Sequence, residues 1–340
     1  MSKKVVLGLS GGVDSAMSAL LLLWQGYEVY GHWLDIGLGG RSDAELVAKI
    51  LNIPFSVGDI REDLEERVCG PFVREYLAGK TPLPCARCNR EVKFPALFRK
   101  AAEVGAEYVA TGHYARIDEE KEGDWRLYRN LKGNDQSYML ARLKKEDLPH
   151  ILLPLAVLSK EQVRAMARDA CLPVAEKPDS MEICFIPDHD YAAWLERRGA
   201  VPPPGNFVDQ AGAVLGRHKG IHHYTLGQRR GLGISAAGRL FVAAIRPETN
   251  EVVLSGNEED LKAAAVLCRE INLLAAAEEE EEVAVRFRYS KEEYPAVLKL
   301  SGDTAEITLK EPARAPTPGQ LAVFYREDLV LGSGWIVKGV

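Results

Sequence analysis

Apolar residues in the first third of the chain form short continuous runs, and longer stretches that mix apolar and polar residues separate them. A short apolar run predicts a strand buried on both faces, whereas the longer stretches predict helices. The predicted strands cover residues 5–7, 29–34, 53–57 and 108–110, and the predicted helices cover 16–24, 43–51, 61–77 and 94–104. Because strands alternate with helices, we expect an α/β fold with a doubly wound parallel sheet.

The pattern changes after residues 201–205, where three prolines and a glycine indicate a linker. Residues 206–260 are rich in glycine and predict short strands, which indicates a small, mostly-β region. Alternating apolar positions at 283–287, 305–309, 321–325 and 335–337 predict a β-barrel. We therefore expect a parallel-sheet domain over 1–200, a central domain over 201–262 and a C-terminal barrel domain over 263–340.

Composition narrows the class of protein. In 340 residues with 46% hydrophobic residues, no apolar run approaches the ~20 residues of a membrane span. A strand is predicted almost at the first residue, so we expect no signal peptide and a cytoplasmic location, where the six cysteines stay reduced. The net charge of −6 argues against nucleic-acid contact over the whole surface, although residues 211–247 contain no Asp or Glu and several Arg and His. That local basic segment favours contact with a phosphate backbone over a plain solvated surface.

A glycine-rich segment joins the first predicted strand to the first predicted helix. Its members are Gly8, Leu9, Ser10, Gly11, Gly12, Val13, Asp14 and Ser15. A helix N-terminus directs free N–H groups at an anion, and the two adjacent glycines let the backbone approach it. Asp14 beside a phosphate is explained by a bridging Mg²⁺. The alternative, an ordinary strand-to-helix turn, is weaker because the string Ser-Gly-Gly-x-Asp-Ser is specific.

Two cysteines with Cys-x-x-Cys spacing, Cys85 and Cys88, follow two prolines that predict a loop. The spacing suits two ligands on one metal or a redox pair, and the neighbouring Arg87, Arg90 and Lys93 favour thiolate. Because cysteines in an exposed, proline-rich loop do not pack a core, a chemical role is preferred over two structural thiols. Cys184 lies in an apolar, strand-like run, where a buried thiol is an equally good explanation. The sequence Ala110-Thr-Gly-His-Tyr114 is a second strand end, at which a nucleotide contact and a plain turn are equally supported.

Together these segments resemble one family, the tRNA-specific 2-thiouridylases of the MnmA type, which belong to the PP-loop ATP pyrophosphatases. The resemblance extends over essentially the whole chain. The motifs that carry it are 8–15, Thr81-Pro-x-Pro-Cys-x-x-Cys-Asn89, 110–114, Asp135-Gln-Ser-Tyr138, Asp179-Ser-x-x-Ile-Cys-Phe-Ile186 and Tyr224-Thr-x-Gly-Gln-Arg-Arg-Gly231. The family adenylates the carbonyl oxygen at carbon 2 of the wobble uridine of tRNA and replaces it with sulfur, so ATP, Mg²⁺, tRNA and a sulfur-donor protein or sulfide source are implied.

The resemblance also implies roles for individual residues. The segment 8–15 would hold ATP, with Leu34 and Gly112 on its adenine side. Cys88 matches the nucleophile, and Cys184 matches the position that receives persulfide sulfur. The positions that match tRNA contacts are His113, Asn134, Asp135, Gln136, Arg288, Tyr289 and Gln320.

Three positions depart from the family pattern: Cys85 stands where some members have Asp, Leu83 where Asn is usual, and Met181 where Gln is usual. With Cys85, Cys88 and Cys184 the chain is similar to a branch proposed to hold a 4Fe–4S cluster, in which three thiolates bind three irons and one iron stays open for sulfide. Two other functions remain open: a PP-loop ligase or amidotransferase acting on a small molecule, and a non-catalytic RNA-binding sulfur carrier.

Overall fold

The protein is described here from a computed structural model, which describes residues 2–179, 183–199, 201–235, 238–289 and 292–340. The predicted Ser180 and Met181 positions lie outside the described residues. Three sheets organise the chain: a parallel sheet of five strands, a sheet of four strands and a sheet of eight strands.

The parallel sheet confirms the predicted doubly wound α/β fold. Seven strands precede residue 179: β1 Lys4–Gly8, β2 Glu28–Asp35, β3 Phe55–Asp59, β4 Tyr108–Ala110, β5 Ala115–Lys121, β6 Asp124–Arg129 and β7 Ile151–Leu152. The sheet has the order β3-β2-β1-β4-β7, and all of its pairings are parallel. Val5 and Leu7 pack in one core whereas Val6 packs in another, so both faces of β1 are covered.

The α-helices among the described residues are α1 Val13–Trp24, α2 Arg41–Ile50, α3 Arg61–Leu64, α4 Gly70–Leu77, α5 Pro84–Cys88, α6 Phe94–Val104, α7 Ser137–Leu140, α8 Lys160–Asp169 and α9 Tyr191–Glu196. The helices predicted to begin at 16, 43, 61 and 94 begin within three residues of those positions. A wide π-type turn at Glu65–Cys69 joins α3 to α4, so the predicted helix over 61–77 is present with an expanded turn. Ser159 and Gln162 form a reciprocal capping box at the start of α8.

The predicted loop around the paired cysteines is wrong in its second half. Residues 84–88 form α5, and a second π-type turn at Asn89–Lys93 continues it into α6. Pro84 lies in the first turn of α5, where the N–H that proline lacks has no intrahelical partner in any case. Cys184 was expected in a strand-like run but lies in a turn. The apolar neighbours that suggested a strand, Phe185 and Ile186, are buried against helices instead.

The central region is a small sheet with the order β10-β11-β8-β9. Its strands are β8 Gly205–Val208, β9 Val214–His218, β10 Phe241–Arg246 and β11 Glu251–Ser255. His218 is buried at the end of β9, where its Nδ1 accepts hydrogen bonds from the backbone N–H of Gly205 (3.3 Å), at the start of β8, and of Gly220 (3.0 Å). This histidine therefore has a structural role.

The C-terminal strands close into the predicted barrel. They are β12 Lys262–Leu273, β13 Glu280–Arg286, β14 Tyr294–Ser301, β15 Thr304–Arg314, β16 Leu321–Arg326 and β17 Leu329–Gly339. The order β12-β15-β14-β13-β16-β17 is closed by an additional pairing of β12 with β17. The hairpin of β5 and β6 extends the same sheet, because β6 pairs with β17 at Tyr128 and Leu329. The predicted domain boundaries at 200 and 262 remain predictions. Strands β5 and β6, which lie within residues 1–200, join the barrel sheet.

Within the described ranges of the chain, no helix is both long and apolar enough to cross a membrane.

A buried hydroxyl connects the parallel-sheet region to the barrel. Tyr138 is fully buried, and its hydroxyl donates to the carbonyl oxygen of Leu321 at 2.9 Å. We expect Tyr138→Phe to lower the free energy of unfolding by about 1 kcal/mol, because the carbonyl loses its donor. Tyr27→Phe is the matched control, since the Tyr27 hydroxyl has no hydrogen bond within the described residues. Urea unfolding measures both, and equal stability of the two variants would contradict the role given to Tyr138.

Candidate nucleotide and thiol site

The glycine-rich segment lies between β1 and α1 and is crowded by its neighbours on two sides. A Cβ on Gly11, whose φ is +73°, would lie 2.8 Å from the backbone nitrogen of Ala44 in α2. A Cβ on Gly112, just after β4, would lie 2.9 Å from the carbonyl carbon of Asp14. Glycine is therefore required at both positions, and Gly112 brings the end of β4 against the start of α1. Gly12 meets only the Ser10 hydroxyl at 3.6 Å, so its side of the segment is open.

The two serines of this segment hydrogen-bond within it. The Ser15 hydroxyl donates to the carbonyl oxygen of Gly12 at 3.0 Å and accepts from the backbone N–H of Ser10 at 3.2 Å. The Ser10 and Ser15 hydroxyl oxygens are 3.1 Å apart. These contacts fix the shape of the turn and leave the start of α1 without a side-chain cap, so its first N–H groups stay available to an anion.

Asp14 is held by Tyr114, which belongs to the predicted strand-end motif, and by Lys160, which the sequence did not assign to the site. Lys160 Nζ lies 2.8 Å from both carboxylate oxygens of Asp14, and the Tyr114 hydroxyl donates to one of them at 2.6 Å. Burial first, and then the hydrogen bond to Asp14, raises the pKa of Tyr114, so it stays a protonated donor. Lys160 also pairs with Asp179 at 2.7 Å.

A second lysine, Lys177, contacts the same segment through the carbonyl oxygen of Gly11 at 3.2 Å and pairs with Asp43 at 2.5 Å. Two ammonium groups therefore flank the glycine-rich segment. One signal in the sequence could have found Lys160: it is the first residue of α8, where the helix dipole disfavours a cation. A lysine at that position indicates that its ammonium group pairs with an anion outside the helix, as Lys160 does with Asp14.

The three predicted thiols lie in one region. Cys85 and Cys184 are exposed and Cys88 is half-buried. Each of Cys85 and Cys88 is near enough to Cys184 for a thiolate at one to raise the pKa of the other. The turn that carries Cys184 is anchored by Phe185, whose ring lies 5.2 Å from that of Trp194 in α9. Leu34, at the end of β2, packs in the same apolar cluster as Cys88, so the thiols lie beside the strand ends of the parallel sheet.

The electrostatics of the thiols differ from the sequence prediction. Desolvation raises the pKa of Cys85 and Cys184, and raises that of Cys88 to about 11. Lys93 lowers all three pKa values and is the main opposing charge. Arg87 and Arg90 do not contribute, because Arg87 pairs with Glu75 and Glu91 while Arg90 binds the Arg142 carbonyl and Asn272. The prediction that the surroundings favour thiolate is therefore wrong for the resting thiols.

His113 lies just after the end of β4 and is influenced by the same lysine as the thiols. Its Nδ1 is 2.8 Å from the Thr111 hydroxyl, and its ring stacks on Phe94. Desolvation, and then Lys93, lowers the pKa of His113 well below its ordinary value. His113 is thus neutral at physiological pH, and the same lysine acts on it and on the three cysteines.

The residues predicted to contact tRNA fall into two groups. Asp135 pairs with Arg286 at 2.7 Å, and Gln136 accepts from the Tyr114 backbone N–H at 3.0 Å. Gln320 donates to the carbonyl oxygen of Thr81 at 2.9 Å, so it supports the segment before α5. Members of the second group are exposed: Asn134, Arg288 and Tyr289. The first group therefore shapes the surface, and the second is accessible to a ligand, although Arg288 also donates to the carbonyl oxygen of Arg314 at 2.8 Å.

Family models match the chain in three consecutive parts. A model described as a tRNA methyl transferase HUP domain matches residues 3–188, one described as a tRNA methyl transferase PRC-barrel domain matches 193–256, and one described as an aminomethyltransferase beta-barrel domain matches 264–336. Among solved structures, NMN synthetase from Francisella tularensis is similar with a TM-score of 0.35 and 22% identity, covering 53% of this chain and 67% of that one.

Curated relatives match the chain from end to end. The tRNA-specific 2-thiouridylase MnmA of Carboxydothermus hydrogenoformans is 44% identical over 99% of this chain and 98% of its own length. The protein of the same name from Lachnoclostridium phytofermentans is 43% identical over 99% of this chain and 100% of its own. With identity at this level over the full length, the chain belongs to the family of tRNA-specific 2-thiouridylases.

Proposed function

We infer that this protein is an ATP-dependent tRNA 2-thiouridylase, which replaces the oxygen at carbon 2 of the wobble uridine of tRNA with sulfur. Full-length identity to the 2-thiouridylases carries this conclusion. The site supports it, because an anion-binding segment and a group of thiols lie at the strand ends of one sheet. A ligase acting on a small molecule would explain the first feature and leave the thiols unexplained.

In the first step, the uridine carbonyl oxygen attacks the α-phosphorus of ATP, and the bond from that phosphorus to pyrophosphate breaks. Residues 8–15, with Leu34 and Gly112 on the adenine side, would bind the nucleotide. Asp14 would hold Mg²⁺, which would supply positive charge to the phosphates. Lys160 and Lys177, which pair with Asp14 and Asp43 beside this segment, would help to neutralise charge on the leaving pyrophosphate.

In the second step, sulfur carried by Cys184 attacks carbon 2 of the adenylated uridine, and the bond from carbon 2 to the AMP oxygen breaks. When that sulfur is a persulfide, the Cys88 thiolate attacks the Cys184 sulfur, which frees thiouridine and leaves a disulfide that a thiol reductant must reopen. Lys93 supports Cys88 as the nucleophile, because its charge lowers the pKa that burial raises. A persulfide donor protein or a sulfide source supplies the sulfur.

The tRNA would approach along the surface that carries Asn134, Arg288 and Tyr289. Arg229 and Arg230 are exposed, and neither forms a salt bridge with any described residue, which suits contact with phosphates. The uridine must leave its stack to reach the thiols beside His113. We place this reaction in the cytoplasm, where tRNA and reduced cysteines occur together.

The donor chemistry of the three cysteines fits a 4Fe–4S cluster held by Cys85, Cys88 and Cys184. Within the described residues, their sulfur atoms do not all lie within 4.8 Å of one another, so they do not form a site for a single ion. A cluster has no such requirement, because each thiolate binds a different iron. Bound in this way, it would supply an open iron for sulfide.

Iron analysis decides between the two forms of sulfur. Protein purified without oxygen should contain iron and acid-labile sulfide in equal amounts if the cluster is present, and the Cys85→Ser variant should lose both. A wild-type protein that lacks both and thiolates tRNA in air with a persulfide donor would rule out the cluster and leave the persulfide route.

The adenylation step depends on the charge of Asp14. We expect Asp14→Asn to lower turnover at least ~100-fold, because the amide neither holds Mg²⁺ nor balances Lys160. Binding of tRNA should change less than ~3-fold. Mass analysis of tRNA nucleosides measures turnover, and Arg168→Ala, in an exposed pair with Glu176, is the control. Unchanged turnover would favour a non-catalytic RNA-binding protein, and ATP–pyrophosphate exchange without tRNA would favour a small-molecule ligase.

The charge of Lys93 should control the reactivity of Cys88. Lys93 lowers the pKa of this thiol, so Lys93→Met should raise the pKa further and reduce the thiolate fraction at pH 8. Alkylation of Cys88, followed by mass spectrometry against pH, should then slow at least ~5-fold at pH 8. Lys93→Arg keeps the charge and should react at close to the wild-type rate. A Met variant that reacts as fast as the wild type would remove Lys93 from this role.

A further inference from the structure

A second cluster of metal-binding side chains lies away from the thiols, where α9 meets the central region. Glu196 is the last residue of α9, and His222 and His223 belong to the short 3-10 helix Ile221–His223. Their ligand atoms all lie within 4.8 Å of one another, and across the described ranges of the chain no other group of three His, Cys, Asp or Glu side chains does so. We propose that Glu196, His222 and His223 bind one divalent transition-metal ion of the zinc type.

The spacing of the three ligand atoms suits a single ion. His222 Nε2 lies 3.4 Å from Glu196 Oε1, and His223 Nε2 lies 3.0 Å from the same oxygen. Ligands bound tetrahedrally at about 2.0–2.1 Å are about 3.3–3.4 Å apart. Both imidazoles thus already direct Nε2 at the carboxylate with nearly the separation that a shared ion requires. Two histidines and one carboxylate are an established zinc donor set.

The backbone holds the His222 ring in this position. His222 is 1% exposed, and a Cβ on Gly220, whose φ is +141°, would lie 2.5 Å from its ring. Glycine at 220 is therefore needed for the ring to occupy this place. The ring of His223 lies 4.3 Å from that of His222, so the two imidazoles approach Glu196 together.

The partners of Glu196 leave its carboxylate to the two imidazoles. Within the described residues it forms no ion pair with a lysine or an arginine, and its contacts are with His222 and His223. The arginines that follow it are engaged elsewhere, because Arg197 pairs with Asp188 and Arg198 pairs with Glu65. A cation bound between the imidazoles would supply the missing counter-charge.

The position of the cluster gives the metal a structural role. Glu196 ends the helix whose Trp194 packs on Phe185, next to Cys184. The histidines begin the segment that leads to Arg229 and Arg230. An ion at this junction would fasten the cysteine-bearing turn to the basic segment. The proposal does not depend on thiolation, because its test measures metal binding directly.

The test uses Co²⁺ as the probe and the full chain with Cys85, Cys88, Cys171 and Cys184 changed to serine, which removes the thiols that are exposed or half-buried. We expect one equivalent of Co²⁺, with visible ligand-field absorption and no thiolate charge-transfer band. His222→Gln, His223→Gln and Glu196→Gln should each weaken binding at least ~100-fold. His189→Gln, at an exposed histidine outside the cluster, is the matched control and should bind as the parent does.

Thermal unfolding separates loss of binding from loss of folding. Zn²⁺ should raise the Tm of the parent and of His189→Gln, while the three cluster variants should keep their metal-free Tm and show no rise. Absence of stoichiometric Co²⁺ binding in the parent would overturn the proposal. Equal affinity in the parent and the histidine variants, or a thiolate band, would also overturn it and leave the cluster as a hydrogen-bonded contact.

Discussion

The close approach of two backbone segments at the strand ends is the constraint on which the site depends. Gly11 lies against the start of α2, and Gly112 lies against Asp14 and Ser15, with no room for a Cβ at either position. This approach places the start of α1, the end of β4 and His113 in one crevice. Lys160, Tyr114 and Asp179 then fix the carboxylate of Asp14 within it. This polar network forms because the backbone at Gly112 already lies against the backbone of Asp14 and Ser15.

The thiols occupy the same crevice through a different kind of contact. Apolar packing, rather than hydrogen bonding, brings the Cys184 turn to α5, because Phe185 and Ile186 are buried among aromatic rings of α4 and α9. The thiols therefore have high pKa values at rest, and Lys93 is the main charge that opposes this effect. Cys85 and Cys184 are exposed and so accessible to a sulfur donor, but the thiols need a change of surroundings to become fully reactive.

Sequence patterns predicted most of the fold because its signals are local. Apolar runs, the capping box at Ser159 and the glycine-rich turn each depend on residues near one another in the chain. All but one of the failures involve contacts between residues far apart in the chain. The sequence around Cys184 does not show that Phe185 packs on Trp194. The sequence around Arg87 likewise does not show that its guanidinium forms a salt bridge with Glu75. The loop predicted from Pro82 and Pro84 failed for a local reason, since proline in a first helical turn is compatible with a helix. The role of Asp135 as a buried partner of Arg286 was equally invisible.

The hairpin of β5 and β6 has a consequence for the way this chain can be divided. It belongs by sequence to the nucleotide-binding part, yet it forms the edge of the barrel sheet, and the Arg129 backbone N–H donates to Asp328. A fragment that ended near the linker would carry this hairpin with one side uncovered, and a barrel fragment would lose the strand that covers β17. Cutting the chain at the linker would therefore expose sheet edges on both fragments, so a stable division would have to keep the hairpin with the barrel.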